Sequence, residues 1–218
     1  MTEFVIVDCG IGNLRSVQKI FERLGAKAPI ADSPDQVRAA DAIVLPGVGA
    51  FGDAMKKLES DGVADVIRHE ATERGKPLLG ICLGLQLLGQ GSAENPDVPG
   101  LGIVPGEVAP LDVAGNRDWM GRKLTLPHIG WNAVTAQSRS QLFDGIETGT
   151  DFYFVHGYHL VPAEPEWSTA TAEYGGEFVS AIEHANVFAV QFHPEKSQKQ
   201  GQRLIRNFIM HATQAKAA

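Results

Sequence analysis

A cysteine between two glycines is the strongest chemical signal in this chain. Cys82 lies in residues 80–84, GICLG, after the apolar run 77–79 and before the pattern LQLL at 85–88. This order predicts a strand, a sharp turn and a helix, with the cysteine at the apex of the turn. Free N–H groups at the start of a helix favour the reactive thiolate. We interpret Cys82 as a nucleophile; the alternative is a structural cysteine buried in the same turn.

A cysteine nucleophile needs a base, and His193 is the best of the seven histidines. It follows the strand-like run 186–191 and therefore lies near a strand end, where open α/β sheets place their sites. Pro194 favours an extended backbone at His193, in which residues i and i+2 point to the same side. Glu195 can then orient the imidazole. A His-x-Glu pair alone is equally consistent with a surface pair, but together with Cys82 it predicts a Cys-His-Glu triad.

Acyl chemistry also needs N–H donors for an oxyanion. The N–H of Leu83, directly after the nucleophile, is one candidate. The loop PGVG at 46–49 is the best source of a second, from Val48 and Gly49, because its glycines allow unusual φ angles and close approach. The alternative is an ordinary glycine-rich connection. No Gly-Lys-Ser/Thr follows, so the loop does not resemble a phosphate-binding P-loop.

Metal binding would be a competing use of cysteine and histidine. The chain contains no CxxC, HxxxH or HExxH spacing, so we expect no metal site and no cofactor. His128, His156 and His159 lie on strand-like segments and are interpreted as hydrogen-bonded polar residues. Cys9 has no comparable elbow or base nearby and is interpreted as structural.

Composition limits the class of protein. A net charge of −7 argues against nonspecific nucleic-acid binding. No apolar run approaches the roughly 20 residues of a membrane span. The N-terminus is interpreted as a first strand rather than a signal peptide, and two cysteines favour a reducing compartment, so we expect a cytoplasmic protein.

The elements predicted around these residues are those of an α/β fold. Strands alternate with helices up to Cys82, which predicts a central, mostly parallel sheet flanked by helices. Beyond about residue 96, short strands separated by proline and glycine predict hairpins and a mixed sheet. The predicted strands are 4–8, 28–31, 41–45, one that ends at 82, 102–105, 131–135, 152–155, 159–161, 168–174, 178–183 and 186–191. The predicted helices begin after Asn13 and Ser33 and span 62–74 and 199–212.

Two of these motifs resemble a known family. The segments 80–86, GICLGLQ, and 191–195, QFHPE, resemble those of the class I (triad) glutamine amidotransferases, in the same order. Within that family, four further segments are most similar to the glutaminase subunits of imidazole glycerol phosphate synthase: 7–17, 45–51, 127–132 and 193–197. The resemblance covers about 4–209. It implies one flavodoxin-like amidotransferase domain over residues 1–218, with a smaller antiparallel sheet.

The resemblance implies a mechanism for the triad. Cys82 attacks the side-chain amide of L-glutamine, His193 moves the protons and Glu195 orients His193. A γ-glutamyl thioester forms and is hydrolysed to glutamate. The ammonia then passes to the cyclase of the synthase, which is a (β/α)₈ barrel. This barrel forms a heterodimer with the glutaminase and uses the ammonia in histidine biosynthesis.

Further roles are also implied by the resemblance. Gly47, Gln86 and Glu94 would bind the substrate, although a solvated Glu94 is an equal alternative. Trp131 and Lys196 would flank the cyclase interface, although Trp131 could equally be a core residue.

The chain also departs from the family pattern. Cys9, Gly157 and His159 stand where tyrosine, serine and tyrosine are usual, and the polar segment 113–122 is longer than normal, which predicts a surface loop. Two other readings stay open: a sister amidotransferase serving pyridoxal phosphate, anthranilate or GMP synthesis, and a catalytically silent regulatory protein.

Overall fold

Strands and helices alternate through the first part of the chain. The computed structural model describes residues 2–10, 12–31, 33–117 and 120–217. Its first elements are β1 (Phe4–Val7), α1 (Leu14–Arg23), β2 (Ile30–Ala31), α2 (Pro34–Ala39), β3 (Ala42–Gly47), α3 (Phe51–Ser60), α4 (Val63–Thr72), β4 (Leu78–Cys82) and α5 (Leu83–Leu87).

Strands dominate the rest of the chain until a final long helix. These elements are β5 (Gly91–Ser92), β6 (Gly106–Pro110), β7 (His128–Ala136), β8 (Thr150–His156), β9 (Tyr158–Pro162), β10 (Ser168–Glu173), β11 (Glu177–His184), β12 (Val187–Val190) and α6 (Gln198–Ala217). Two short 3-10 turns, Pro165–Trp167 and Pro194–Lys196, lie between them.

One nine-stranded sheet has the order β2-β1-β3-β4-β12-β11-β10-β7-β8. The strands from β2 to β12 in this order are parallel, and those from β12 to β8 are antiparallel. The expected α/β class, with a large central sheet and a smaller second sheet, is confirmed. The smaller sheet is mixed rather than wholly antiparallel, because β5 runs parallel to β6 while β9 runs antiparallel to it.

Most predicted elements are present with shifted ends. The side chain of Asn13 caps α1 by accepting from the Ser16 N–H at 3.2 Å. The strand expected at 102–105 is wrong: Gly102 has φ 65°, outside the strand region, and β6 begins only at Gly106. Helix α3 was not predicted, although its buried Phe51, Ala54, Met55 and Leu58 follow a helical spacing.

Apolar side chains cover both faces of the large sheet and form the core. Cys9 belongs to this core and donates to the Pro46 carbonyl at 3.2 Å. Within the segment 113–122, the described residues are half-buried or exposed, and Asp118 and Trp119 lie outside the described residues. Among the described helices, none combines the length and apolarity needed to cross a membrane.

Candidate active site

Cys82 occupies a strained elbow between β4 and α5. Its φ of 56° and ψ of −107° are unusual for any residue with a Cβ. The flanking glycines are required by close packing. A Cβ on Gly80 would lie 3.0 Å from the Cβ of Ala189, and one on Gly84 would overlap the carbonyl oxygen of Leu45. The G-x-C-x-G pattern is thus explained by contacts that hold the cysteine at the end of the parallel strands.

The helix after the elbow is short. It spans only Leu83–Leu87, so its dipole is small, but the N–H of Leu83 still has no acceptor within the helix. Gly47, the last residue of β3, pairs in register with Cys82. The following Val48 and Gly49 face the same cavity as Cys82 and Leu83. Gly49 has φ 107°, which only glycine adopts readily.

His193 and Glu195 are in direct contact. His193 Nδ1 lies 2.9 Å from Glu195 Oε1, and both side chains are almost fully buried. His193 is extended (φ −103°, ψ 94°), as Pro194 predicts. Glu195, however, approaches through the 3-10 turn Pro194–Lys196 rather than along an extended strand. The pairing was therefore predicted correctly, but the i, i+2 strand geometry given for it was not.

The backbone around His193 is braced by β8 and by a serine. The N–H of His193 donates to the Tyr153 carbonyl at 2.8 Å. Ser197 Oγ donates to the His193 carbonyl at 2.7 Å and accepts from the Tyr153 N–H at 3.0 Å. Ser197 was not singled out from the sequence, because its role depends on β8 lying beside the turn.

The environment of His193 favours its protonated form. Burial by itself lowers the pKa of His193, but hydrogen bonding and charge attraction from Cys82 and Glu195 outweigh burial and raise the pKa to about 10. His193 Nε2 has no well-formed hydrogen bond to another described residue, which is common in a catalytic site without substrate. The imidazole can therefore serve as a proton donor next to the sulfur at neutral pH.

A cavity of about 440 Å³ opens in front of Cys82, within the range of roughly 300–1,000 Å³ that is typical of small-molecule sites. Six predicted site residues line it: Val48, Gly49, Cys82, Leu83, Gln86 and Glu94. Glu94 Oε2 accepts from the N–H of Phe51 at 2.8 Å, so its carboxylate is fixed at the start of α3. Gly157 also lines the cavity, and a Cβ there would meet nothing within 4 Å.

Other predicted residues lie outside this cavity. Gly47 is buried behind the elbow, where a Cβ would lie 3.1 Å from the Cβ of Leu83. Trp131 and Lys196 both lie against Tyr153. The centroids of the Trp131 and Tyr153 rings are 5.9 Å apart, and Lys196 Nζ lies 5.6 Å from the centroid of the Tyr153 ring.

Three further histidines pack around the ring of Phe178; His128 and His156 are buried and His159 is half-buried. His128 Nδ1 lies 3.1 Å from His156 Nε2, and His156 Nδ1 lies 2.8 Å from the Tyr158 carbonyl. Burial lowers the pKa of His128 to about 4 and that of His156 to about 3, so both are neutral at pH 7. His159 Nδ1 has no partner among the described residues, so the expectation of hydrogen-bonded histidines holds for His128 and His156 and fails for this atom. Across the described part of the chain, no group of three or more His, Cys, Asp or Glu could hold a metal ion.

Exposed apolar side chains lie on and just before β7, next in sequence to residues that line this cavity. Leu126, Ile129 and Trp131 are 45%, 60% and 48% exposed. Ile129 and Trp131 lie on one face of β7, two residues apart, and line a neighbouring surface cavity, whereas Leu126 lines the cavity in front of Cys82. We call these three residues the rim patch. Its exposed apolar side chains make it a candidate partner contact, which would reach the cavity at Leu126.

Comparisons with known proteins identify the family to which the chain is similar. The sequence profile of the family described as "Glutamine amidotransferase class-I" matches residues 5–212. The chain is 48% identical over 218 residues to the imidazole glycerol phosphate synthase subunit HisH of Moorella thermoacetica, covering 99% of each chain. It is 46% identical over 209 residues to the HisH subunit of Pyrococcus furiosus, covering 95% of this chain and 98% of that protein.

Solved structures support the fold. PurLQS from Thermotoga maritima has a TM-score of 0.73 at 19% identity, covering 97% of this chain and 99% of that one. The glutaminase domain of Trypanosoma brucei CTPS, solved with bound acivicin, has a TM-score of 0.66 at 17% identity, covering 98% of this chain and 94% of that one. At these identities the similarity concerns the fold alone.

Proposed function

This chain belongs to the class I glutamine amidotransferase family, and we propose that it is the glutaminase subunit of an imidazole glycerol phosphate synthase, with one catalytic domain over residues 1–218. The glutaminase chemistry is supported by the position of Cys82 on a strained elbow beside His193. The Nδ1 atom of His193 contacts Glu195 Oε1 at 2.9 Å. The similarity to HisH subunits over nearly the whole chain carries the choice of synthase.

Glutamine hydrolysis follows from this arrangement in two stages. The Cys82 thiolate attacks the amide carbon of glutamine, and the oxyanion accepts from the N–H of Leu83 and from the Val48–Gly49 loop. Protonated His193 gives its proton to the departing nitrogen, leaving ammonia and a γ-glutamyl thioester. Neutral His193 then takes a proton from water, and the resulting hydroxide displaces the Cys82 thiolate and forms glutamate.

The cavity offers groups for the rest of the substrate. Gln86 presents a polar amide on its wall, and the fixed carboxylate of Glu94 suits an α-amino group. Gly47 would act indirectly, by leaving room for Leu83 beside the elbow.

The partner we propose is a (β/α)₈ cyclase that forms a heterodimer by covering the rim patch. Ammonia released into water would be protonated and lost as a nucleophile, so the cavity mouth should face the partner. Trp131 would be an interface anchor, as large aromatic residues often are, and Lys196 would lie at the edge of the contact. A partner seated there would close the route from Cys82 to bulk solvent.

The first test is glutamate release by the purified chain, measured without partner and then with the cyclase and its nucleotide ligand. We expect a large rise in rate when both are present. If the rate does not change when this cyclase is added, the glutaminase chemistry would still stand, but a sister synthase would be favoured. The absence of turnover in both mixtures would contradict the proposed activity and favour a catalytically silent protein.

Val48 provides a test of how the resting rate is limited. A β-branched residue disfavours positive φ, and for L-residues that region costs roughly 1–2 kcal/mol. If the Val48 N–H must turn inward to reach the oxyanion, Val48→Gly should raise the rate without partner by about tenfold. Val48→Ala is the control, since it removes bulk but keeps a Cβ. An equal rise in both variants, or none in either, would exclude this gating role.

A further inference from the structure

Two buried amides connect the backbone of β9 to the sulfur of Cys82. Gln86 Nε2 donates to the Tyr158 carbonyl at 2.9 Å and to Gln191 Oε1 at 3.2 Å. Gln191 Nε2 then donates to Cys82 Sγ at 3.7 Å. The Cys82 sulfur therefore has a neutral N–H donor that is distinct from His193.

The direction of this series of hydrogen bonds is fixed by a main-chain atom. A carbonyl oxygen can only accept, so the Gln86 amide must turn its nitrogen toward Tyr158. The second N–H of that nitrogen faces Gln191, whose oxygen must therefore accept. The Gln191 nitrogen is thus left facing the sulfur. Rotating either amide by half a turn would place two donors or two acceptors opposite each other.

Gln191 is also held where water cannot replace it. The residue is 0% exposed. It directly follows β12, which pairs with β4 on one side and with β11 on the other. Its backbone N–H donates to the Ser180 carbonyl at 2.9 Å. A buried amide in this position is a fixed donor toward Cys82.

We propose that Gln191 is a further residue of the catalytic site, whose N–H positions the Cys82 sulfur and stabilises its anion, with its direction imposed by the Tyr158 carbonyl through Gln86. A charged acceptor forms a stronger hydrogen bond than a neutral one, so this donor favours thiolate over thiol. Unlike His193, Gln191 keeps its protons throughout the reaction. It can therefore stabilise the thiolate again when Cys82 leaves the thioester. The inference rests on the proposed function in one respect: Cys82 must be the nucleophile.

The test is the pH dependence of Cys82 alkylation by iodoacetamide in the full chain, with the labelled peptide identified by mass spectrometry. In Gln191→Leu, the pH of half-maximal alkylation should rise by about one unit, equivalent to a tenfold loss of thiolate at a fixed low pH. The kcat for glutamine hydrolysis should fall by a similar factor. Ser180→Ala is the matched control, because the Ser180 hydroxyl is buried nearby with no hydrogen-bond partner among the described residues; its profile should not move.

A second variant tests the connection through Gln86. Gln86→Met removes the donor that orients Gln191 and should move the alkylation profile in the same direction. The double variant should shift it no further than Gln191→Leu alone. An unshifted profile in a folded Gln191→Leu chain would overturn the inference, and if that chain does not fold, an unshifted Gln86→Met profile would do so. Neither result affects the proposed function, which would fail instead if Cys82→Ala kept its glutaminase activity.

Discussion

Replacing Cys82 with alanine is expected to lower glutamine hydrolysis by at least about a thousandfold, even with the cyclase and its ligand present, because no thioester can form without the sulfur. Fold stability should change little, because alanine keeps the Cβ and the sulfur makes only long hydrogen bonds, 3.6 Å to the Val155 carbonyl and 3.7 Å from Gln191 Nε2. The measurement is glutamate release under saturating glutamine, together with thermal unfolding. Retention of a tenth or more of the rate would contradict nucleophilic catalysis by this residue.

Cys9→Ala is the matched control for this change. Cys9 is the other cysteine and is buried, but its sulfur donates to the Pro46 carbonyl rather than facing the cavity. Losing that hydrogen bond should cost about 1 kcal/mol of stability and leave most of the activity. A glutamine-analogue electrophile should correspondingly label Cys82 and not Cys9. Loss of labelling in Cys9→Ala would show that the contact between Cys9 and the Pro46 carbonyl is also needed to form the nucleophile.

Local patterns were sufficient to predict Cys82 and His193 as a candidate nucleophile and base, and the structure has a strained elbow at Cys82 and a contact between His193 and Glu195. Cys82 was found from glycines that the elbow requires, because a Cβ at position 84 would collide with the backbone of β3. His193 and Glu195 were found from an apolar run followed by proline. Each signal reports a constraint imposed by residues nearby in the sequence, so each could be read without knowing the sheet order.

Residues whose role depends on strand neighbours could not be found in this way. Gln191 faces Cys82 only because β12 lies beside β4, although more than a hundred residues separate them. Ser197 braces His193 only because β8 reaches the turn that carries it. Such contacts follow from long-range pairing, which the period of the hydrophobic pattern does not specify.

Adding a single methyl group at Gly84 is expected to have the second largest effect. The Cβ of Gly84→Ala would overlap the Leu45 carbonyl oxygen and lie 2.8 Å from its carbon, both rigid backbone atoms of β3. The first turn of α5 must then move away and take the Leu83 N–H with it. We expect a loss of about 3 kcal/mol in the free energy of unfolding. Displacement by about 1 Å should also lower kcat by about a hundredfold at temperatures where the chain is folded.

Gly176→Ala separates this effect from the general cost of replacing a glycine. Gly176 lies in the turn between β10 and β11, where a Cβ would meet nothing within 4 Å and φ is not positive. Its free energy of unfolding should change by roughly 0.5 kcal/mol or less, and its kcat should not change. Unfolding in denaturant and glutamate release measured on both variants provide the comparison. Wild-type kcat in a destabilised Gly84→Ala chain would mean that Cys82 keeps its position when α5 shifts, and that the second glycine of the motif serves stability rather than catalytic geometry.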